Sequence, residues 1–315
     1  MVINMTVRVL NDWFAGCGGC EVAIVDLGET LLDVLPHVEF VFIPVLADGK
    51  FFGNAGDKDQ MDYPSCDVAL VSGCVRTKEN IVSAKLIRER AKIVVALGSC
   101  SAYGGIPALA NLSTNEQIYD VYYGEENNNQ NSMIPSLTTE EMLERAYALN
   151  EIIKVDLMLP GCPPAPANIA KAVLALVNGQ DYRAAEKSVC DTCPLERKSK
   201  WSIDAKRSLE SAKFTPGDYD KTRCLAEQGH LCLGPVTKGG CAERLDDEKE
   251  IPGCIQAFMG CRGCYGPVHS YSNPMADMLG ALATVDGCIE SIPDKKALFH
   301  RFTGANGNLS PEVEK

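Results

Sequence analysis

The chain has no stretch of about 18 or more consecutive apolar residues, so a helical membrane span is not expected. Its opening segment, Met1 to Asn11, has no basic region leading into an apolar one with a cleavage site, and no paired arginines. An export signal is therefore not expected either. Positive charge is in short supply: 30 Lys and Arg stand against 42 Asp and Glu, a formal net charge of -12. Such a balance repels the phosphates of nucleic acid and is equally poor for an anionic lipid surface. Histidine is scarce and scattered, at His37, His230, His269 and His300. The glycine pairs Gly104-Gly105 and Gly239-Gly240 lack the strand-to-helix context of a phosphate-cradling loop, so nucleotide binding is not supported. No internal repeat is found. The remaining bulk figures, 46% hydrophobic and 23% charged over 315 residues, describe an ordinary globular protein long enough for two domains.

Cysteine is what the chain has in abundance. Fifteen thiols in a chain without an export signal point to a cytoplasmic location, where disulfides do not persist and such usage means metal or redox chemistry. Twelve of the fifteen fall into three groups of four. The first is Cys17-Gly-Gly-Cys20, Cys100 in Leu-Gly-Ser-Cys, and Cys162 in Pro-Gly-Cys-Pro-Pro. A second is Cys190-Asp-Thr-Cys193 with Cys224 and Cys232. The third is Cys241, Cys254 and Cys261-Arg-Gly-Cys264. Four thiolates per site is what a cubane iron–sulfur cluster requires, so the metal expected at all three is a 4Fe-4S cluster.

The first part of the chain alternates short apolar runs with helical patterns. Strands are expected at Val7–Leu10, Val38–Ile43, Val68–Val71, Ile93–Leu97 and Val155–Leu159. Helices are expected at Glu21–Leu35, Lys78–Arg90 and Pro166–Val177. This alternation predicts an α/β fold, a flavodoxin-like parallel sheet domain over 1–185 with helices on both faces. The stretch from Ser101 to Thr139, with its Asn127-Asn128-Asn129 run, reads as an insertion rather than sheet. Cys17, Cys100 and Cys162 all follow the carboxyl ends of expected strands, the edge at which open α/β sheets bind ligands. Over 186–270 long apolar runs give way to Gly, Pro and eight cysteines, predicting a small loop-rich iron–sulfur domain that folds around its metal sites. Residues 271–315 read as a C-terminal tail with one helix, Met275–Ala283, and a polar end.

Each group has a competing reading. Four thiolates also hold structural zinc, though a zinc site assembled from loops as far apart as Cys17 and Cys162 is unusual. The second and third groups are more compact, and two adjacent tetrads in a Gly/Pro-rich segment resemble a ferredoxin-type pair more than zinc ribbons. A Cys-x-x-Cys pair can also be a thiol–disulfide catalyst, but none here has thioredoxin-like surroundings. Of the three leftover thiols, Cys66 and Cys288 read as small buried hydrophobes. Cys74 follows the third strand on the ligand edge and is expected beside the first tetrad. His230, between Cys224 and Cys232, reads as a surface histidine, and acidic runs such as Asp246-Asp247-Glu248 as solvated faces.

In these motifs and their order the sequence resembles the small subunits of nickel–iron hydrogenases over about residues 6 to 270. The resemblance is to the cytoplasmic, methyl-viologen-reducing type found with methanogen heterodisulfide reductase, which does not use the deazaflavin coenzyme. It implies a proximal cluster on Cys17, Cys20, Cys100 and Cys162. A medial cluster would be held by Cys241, Cys254, Cys261 and Cys264, and a distal one by Cys190, Cys193, Cys224 and Cys232. It further implies a separate large subunit carrying the nickel–iron centre, because this chain has no terminal Cys-x-x-Cys followed by histidine. An iron–sulfur acceptor subunit linked to heterodisulfide reductase is implied at the distal end, and no side chain here is expected to act as a catalytic acid or base. Many members have histidine in place of Cys190, proline near Cys254, and Val-Glu-Gly where this chain has Val71-Ser72-Gly73. The first two differences predict all-thiolate distal and medial cubanes. The rival readings are the small subunit of a deazaflavin-reducing hydrogenase, a cluster subunit of a quinone-reducing complex, and a free ferredoxin-like carrier.

Overall fold

The computed structural model describes residues 6–52, 57–124, 133–135, 140–184, 186–198, 200–201, 206, 212–215, 219–245, 250–285, 289–290 and 292–311. Apolar runs in the first half form the strands β1 (Val7–Trp13), β2 (Val38–Phe42), β3 (Cys66–Ser72), β4 (Val75–Thr77), β5 (Ala91–Leu97), β6 (Met142–Tyr147) and β7 (Leu157–Leu159). Five of them pair in parallel in the order β2-β1-β3-β5-β7, while β4 and β6 form a separate antiparallel ribbon. Counting only the five sheet strands in chain order, the succession is 2-1-3-4-5, the flavodoxin-like order with its switch point between the first and third. Register is set by apolar pairs such as Val9 opposite Val68 and Val68 opposite Ile93.

Side chains alternate strictly between two cores, as the period-2 pleat requires of a sheet covered on both faces. On one face Leu10, Ala69, Val71, Val94 and Ala96 pack under α3 (Lys78–Arg90) through Ala84 and Ile87. On the other, Val9, Val68, Leu70, Val95 and Leu97 meet α1 (Gly19–Val25), α2 (Glu29–Val34) and α6 (Pro166–Val177). Thr77 starts α3 by accepting the Asn80 N–H at 3.2 Å, a capping box with Asn80 reaching back. The helix expected over Glu21–Leu35 is two helices, because Gly28 turns the chain at φ +56 between them. The last strand begins at Leu157 rather than Val155, since the Asp156 carboxylate turns to accept from Val94 N–H at 2.9 Å and Arg88 at 2.5 Å. After the sheet's fourth strand come α4 (Gly98–Tyr103), a 3-10 turn at Ile106–Leu112 and α5 (Asn115–Tyr123). The Asn127-Asn128-Asn129 run lies outside the described residues.

The second half is built differently. Its helices α7 (Val189–Thr192) and α8 (Gly253–Gln256) are single turns. Leu195, Leu225, Ile251 and Ile255 form one small core, and a second is shared with α9 (Pro274–Leu282) and α10 (Lys295–Phe299). Met278, Leu282, Ile292, Leu298 and Phe299 bury against Val189, Leu233, Val236 and Cys261. Residues after 270 are thus not a polar tail with one helix. The thiol-rich segment has too little apolar surface of its own, and the C-terminal residues supply it. The chain then returns to the first half, where Ala305 N–H donates to Tyr103 O at 3.1 Å and Asn306 N–H to Glu151 at 3.1 Å. Among the described residues no helix is long and apolar enough to cross a membrane.

Candidate metal centres

The carboxyl edge of the sheet gathers the first tetrad. Cys17 comes from the turn after β1, Cys20 from the first turn of α1, Cys100 from the start of α4 after β5, and Cys162 from the loop after β7. All four line one cavity of about 90 Å³, together with Glu21, Ser72, Gly73, Ser99, Gly161 and Pro163. Two glycines make the cradle possible. A Cβ on Gly98, at φ +81, would stand 2.3 Å from the Cys20 sulfur, and one on Gly105, at φ +58, 2.5 Å from the Cys100 sulfur. Burial, then Glu21 and the other three thiols, push Cys20 well above the usual thiol range. Cys100 is pushed up to about 12, first by burial and then by Cys162 and Cys17. Burial raises Cys162 as well, and three thiols that resist ionisation side by side fit a cationic iron core, whose charge permits their deprotonation. Exposed Trp13, Val22 and Val25 stand on the elements that flank the Cys17–Cys20 turn.

The third tetrad rings a larger cavity of about 260 Å³, where Cys241, Cys254, Cys261 and Cys264 meet apolar Val189, Pro252, Ile255 and Tyr265. Cys241 is raised to about 11, by burial and then Cys254, and Cys264 to about 12, by burial, then Cys254 and Cys241. In the second tetrad, burial, then Cys232, Cys193 and Cys224, raise Cys190 to about 12. A Cβ on Gly234 would lie 3.0 Å from the Cys190 sulfur and 3.5 Å from that of Cys232, so both thiols converge on this turn. Among the described residues no three His, Cys, Asp or Glu side chains are placed to hold a single metal ion. The first and third sets instead ring open space, a donor arrangement suited to a multi-atom cluster.

The tetrads touch in sequence. Cys162, of the first, also lines the cavity of the third beside Cys264, whose thiolate its backbone N–H favours. Cys261, of the third, donates its N–H to the Cys232 sulfur of the second at 3.2 Å. The third set is therefore the middle one.

The other singled-out residues divide. Cys66 is buried in the sheet core. Cys74 is fully buried with Ala108 and Ala146; burial, then Cys100, raise it to about 12, so it sits behind the first tetrad. Cys288 and the Asp246-Asp247-Glu248 run lie outside the described residues. His230 is not on the surface: it is 2% exposed, and neither ring nitrogen has a partner. The sequence misleads at this position because a histidine amid polar turn residues looks exposed until Leu231, Leu233 and Leu298 close over it. Sequence reasoning missed Ser99, Gly105 and Glu21. Only their adjacency to cysteines, or the glycine pair itself, could have flagged them.

Residues 17–176, which hold four of the five sheet strands and the first tetrad, match the family described as NADH ubiquinone oxidoreductase, 20 Kd subunit. The chain is similar along nearly its whole length to a subunit of the F420-non-reducing hydrogenase of Methanocaldococcus jannaschii, 36% identical over 303 residues, 96% of each chain. The iron-sulfur subunit of the F420-non-reducing hydrogenase of Archaeoglobus profundus is 37% identical over 335 residues, covering 99% of this chain and 100% of that one. A chain in the crystal structure of an NAD+-reducing NiFe hydrogenase in the H2-reduced state aligns with a TM-score of 0.51 at 30% identity, over 57% of this chain and 96% of that one. The 20 Kd likeness ends within α6. The likeness to the hydrogenase subunits runs on through the thiol-rich second half, and by it the chain belongs to the family of F420-non-reducing hydrogenase iron–sulfur subunits, small subunits of nickel–iron hydrogenases and hence oxidoreductases.

Proposed function

We propose that this chain is the electron-transfer subunit of a cytoplasmic nickel–iron hydrogenase that does not reduce the deazaflavin coenzyme, and that it carries three 4Fe-4S clusters. Cys17, Cys20, Cys100 and Cys162 would hold the proximal cluster. Cys241, Cys254, Cys261 and Cys264 would hold the medial one, and Cys190, Cys193, Cys224 and Cys232 the distal one. Each cluster, when bound, supplies reversible one-electron chemistry. The protein's own part is to fix separation, exclude water and donate hydrogen bonds to sulfur, which together set potentials.

The observation that carries this reading is the row of contacts, Cys162 to Cys264 and Cys261 to Cys232, which strings the tetrads in one line. Hydrogenase small subunits pair with a large subunit, and exposed Trp13, Val22 and Val25 beside the Cys17–Cys20 turn suit such a partner at the proximal end. The nickel–iron centre would belong to that partner. An iron–sulfur acceptor subunit, linked to heterodisulfide reductase, would meet the distal end. On this reading residues 1–185 and 186–270 act as a sheet domain with one cluster and a small ferredoxin-like domain with two.

Metal and sulfide analysis of the complex purified without oxygen tests it. About twelve iron and twelve sulfide per chain are expected, four of each per cluster. Stoichiometric zinc without sulfide would overturn the reading.

A further inference from the structure

At both junctions a cysteine of one set meets a cysteine of the next: Cys162 and Cys264 line one cavity, and Cys261 donates its backbone N–H to the Cys232 sulfur. They are held together in different ways. The junction between Cys261 and Cys232 closes through the main chain, since Leu233 N–H returns a bond to Cys261 O at 3.0 Å. The junction between Cys162 and Cys264 joins the sheet half to the thiol-rich half, and three buried polar side chains stitch it. Ser99, 1% exposed, accepts from Gly161 N–H at 3.0 Å, donates its own N–H to Gly161 O at 2.8 Å, and donates its hydroxyl to Cys264 O. Tyr265, 3% exposed, accepts from Ala165 N–H at 2.7 Å and from Asn168 Nδ2 at 3.3 Å. Asn168 also reaches Gly240 O at 3.0 Å, next to Cys241.

We propose that Ser99, Tyr265 and Asn168 are positioning residues that hold the Cys162 loop against Cys264 and so govern electron passage from the first tetrad to the third. The proposal rests on the three-cluster reading above. No bond forms or breaks: one electron leaves the cluster of the first tetrad and one enters that of the third, with no atom or proton transferred. A backbone N–H beside a thiolate stabilises the more negative, reduced state, so holding the Cys162 loop in place raises the potential of the accepting cluster. The seam has reason to exist. Buried serine, asparagine and tyrosine are disfavoured unless bonded, and here Ser99 and Asn168 donate across the boundary while Tyr265 accepts across it.

The test compares wild type, Ser99→Ala and Tyr265→Phe in the intact complex. Iron analysis comes first, because a wild type short of three clusters defeats the reading beneath the proposal and not the seam. With iron retained, Ser99→Ala should speed hydrogen exchange at the Gly161 and Cys162 amides. It should lower the potential of the third-tetrad cluster and weaken its magnetic interaction with the first, leaving the second-tetrad potential unmoved. Hydrogen-dependent reduction of the second-tetrad cluster should slow by about tenfold, while that of the first is unchanged. Wild-type exchange and potentials in Ser99→Ala would overturn the proposal, as would an equal shift at the second tetrad. If Ser99→Ala loses iron, Tyr265→Phe, which removes one hydroxyl and keeps the buried ring, decides by the same exchange and potential readouts.

Discussion

Replacing Gly98 by alanine tests the first tetrad at its tightest point. The residue sits at φ +81, where an L side chain costs about 1–2 kcal/mol, and its new Cβ would be 2.3 Å from the Cys20 sulfur. Restoring ordinary contact moves the thiol by about 1 Å, and overpacking of this kind costs about 1–3 kcal/mol. Together these take about 2–5 kcal/mol from a native state worth roughly 5–15 kcal/mol. Gly161 O lies 3.5 Å from the same Cβ, so the thiol can yield only into the cavity it shares with Cys17, Cys100 and Cys162, out of its ligand position. Gly179→Ala is the control, because it carries the same backbone strain at φ +66 with nothing within 4 Å of the added carbon. Iron analysis, EPR of the reduced protein and thermal unfolding are the assays. Gly98→Ala should melt below Gly179→Ala and hold about eight iron instead of twelve, with only the first-tetrad signal missing. Full iron loading and equal melting of the two variants would refute the account of the cradle.

Cys190→His exchanges a thiolate for a neutral imidazole, so a redox titration should find the distal potential raised and the proximal signal untouched. His300 is 2% exposed and held neutral by burial, its pKa below the usual 6.5. Its stabilising share is therefore whole above pH 6.5 and is lost as pH falls below that, at up to about 1.4 kcal/mol per pH unit for one proton. His300→Gln should flatten unfolding free energy measured between pH 6.5 and 5.5; an unchanged slope would count against burial as the cause. Removing iron should leave amide protection in β1, β3 and β5 intact while the amides of 189–264 exchange freely; equal loss in both halves would argue against a thiol-dependent second half.

The sheet was legible because its evidence is repeated. Val7–Leu10, Val38–Ile43, Val68–Val71 and Ile93–Leu97 each point to the same parallel, twice-covered layer, and the cysteines after three strands fall on one edge. What depended on one residue or a distant partner was not legible. Gly28 breaks a helix whose apolar period runs straight through it. The β4–β6 ribbon joins strands about 65 residues apart, of which Val75–Thr77 is too short to signal. Residues after 270 look polar because their apolar members are spread over α9, Ile292 and α10, and only packing on Leu233 and Val236 makes them a core. The tetrads were visible as sets of four, but their order in space was not, since Cys241–Cys264 come last in sequence and sit in the middle of the row.

Cys162 carries two loads, and its surroundings answer both. As a ligand its thiol must reach the first cavity, and as a donor its N–H must face the third. Both demands fall on one residue, so a loop free to rotate about Cys162 could satisfy one only by losing the other. The flanking chain removes that freedom: Pro163 and Pro164 fix two successive φ angles after it, and Gly161 before it is bonded on both its N–H and its C=O to Ser99. Helix α6 starts at Pro166, tying the loop's far end to the sheet core through Ile169 and Ala172. Rigidity at Cys162 therefore comes from the hydrophobic sheet half, whose two cores contain few of the tetrad thiols. The second half has the reverse construction, with Cys232, Cys241 and Cys261 themselves packed in its apolar core. A junction between such unlike halves cannot rely on either one's core alone, which is the physical reason its cross-links are buried polar side chains.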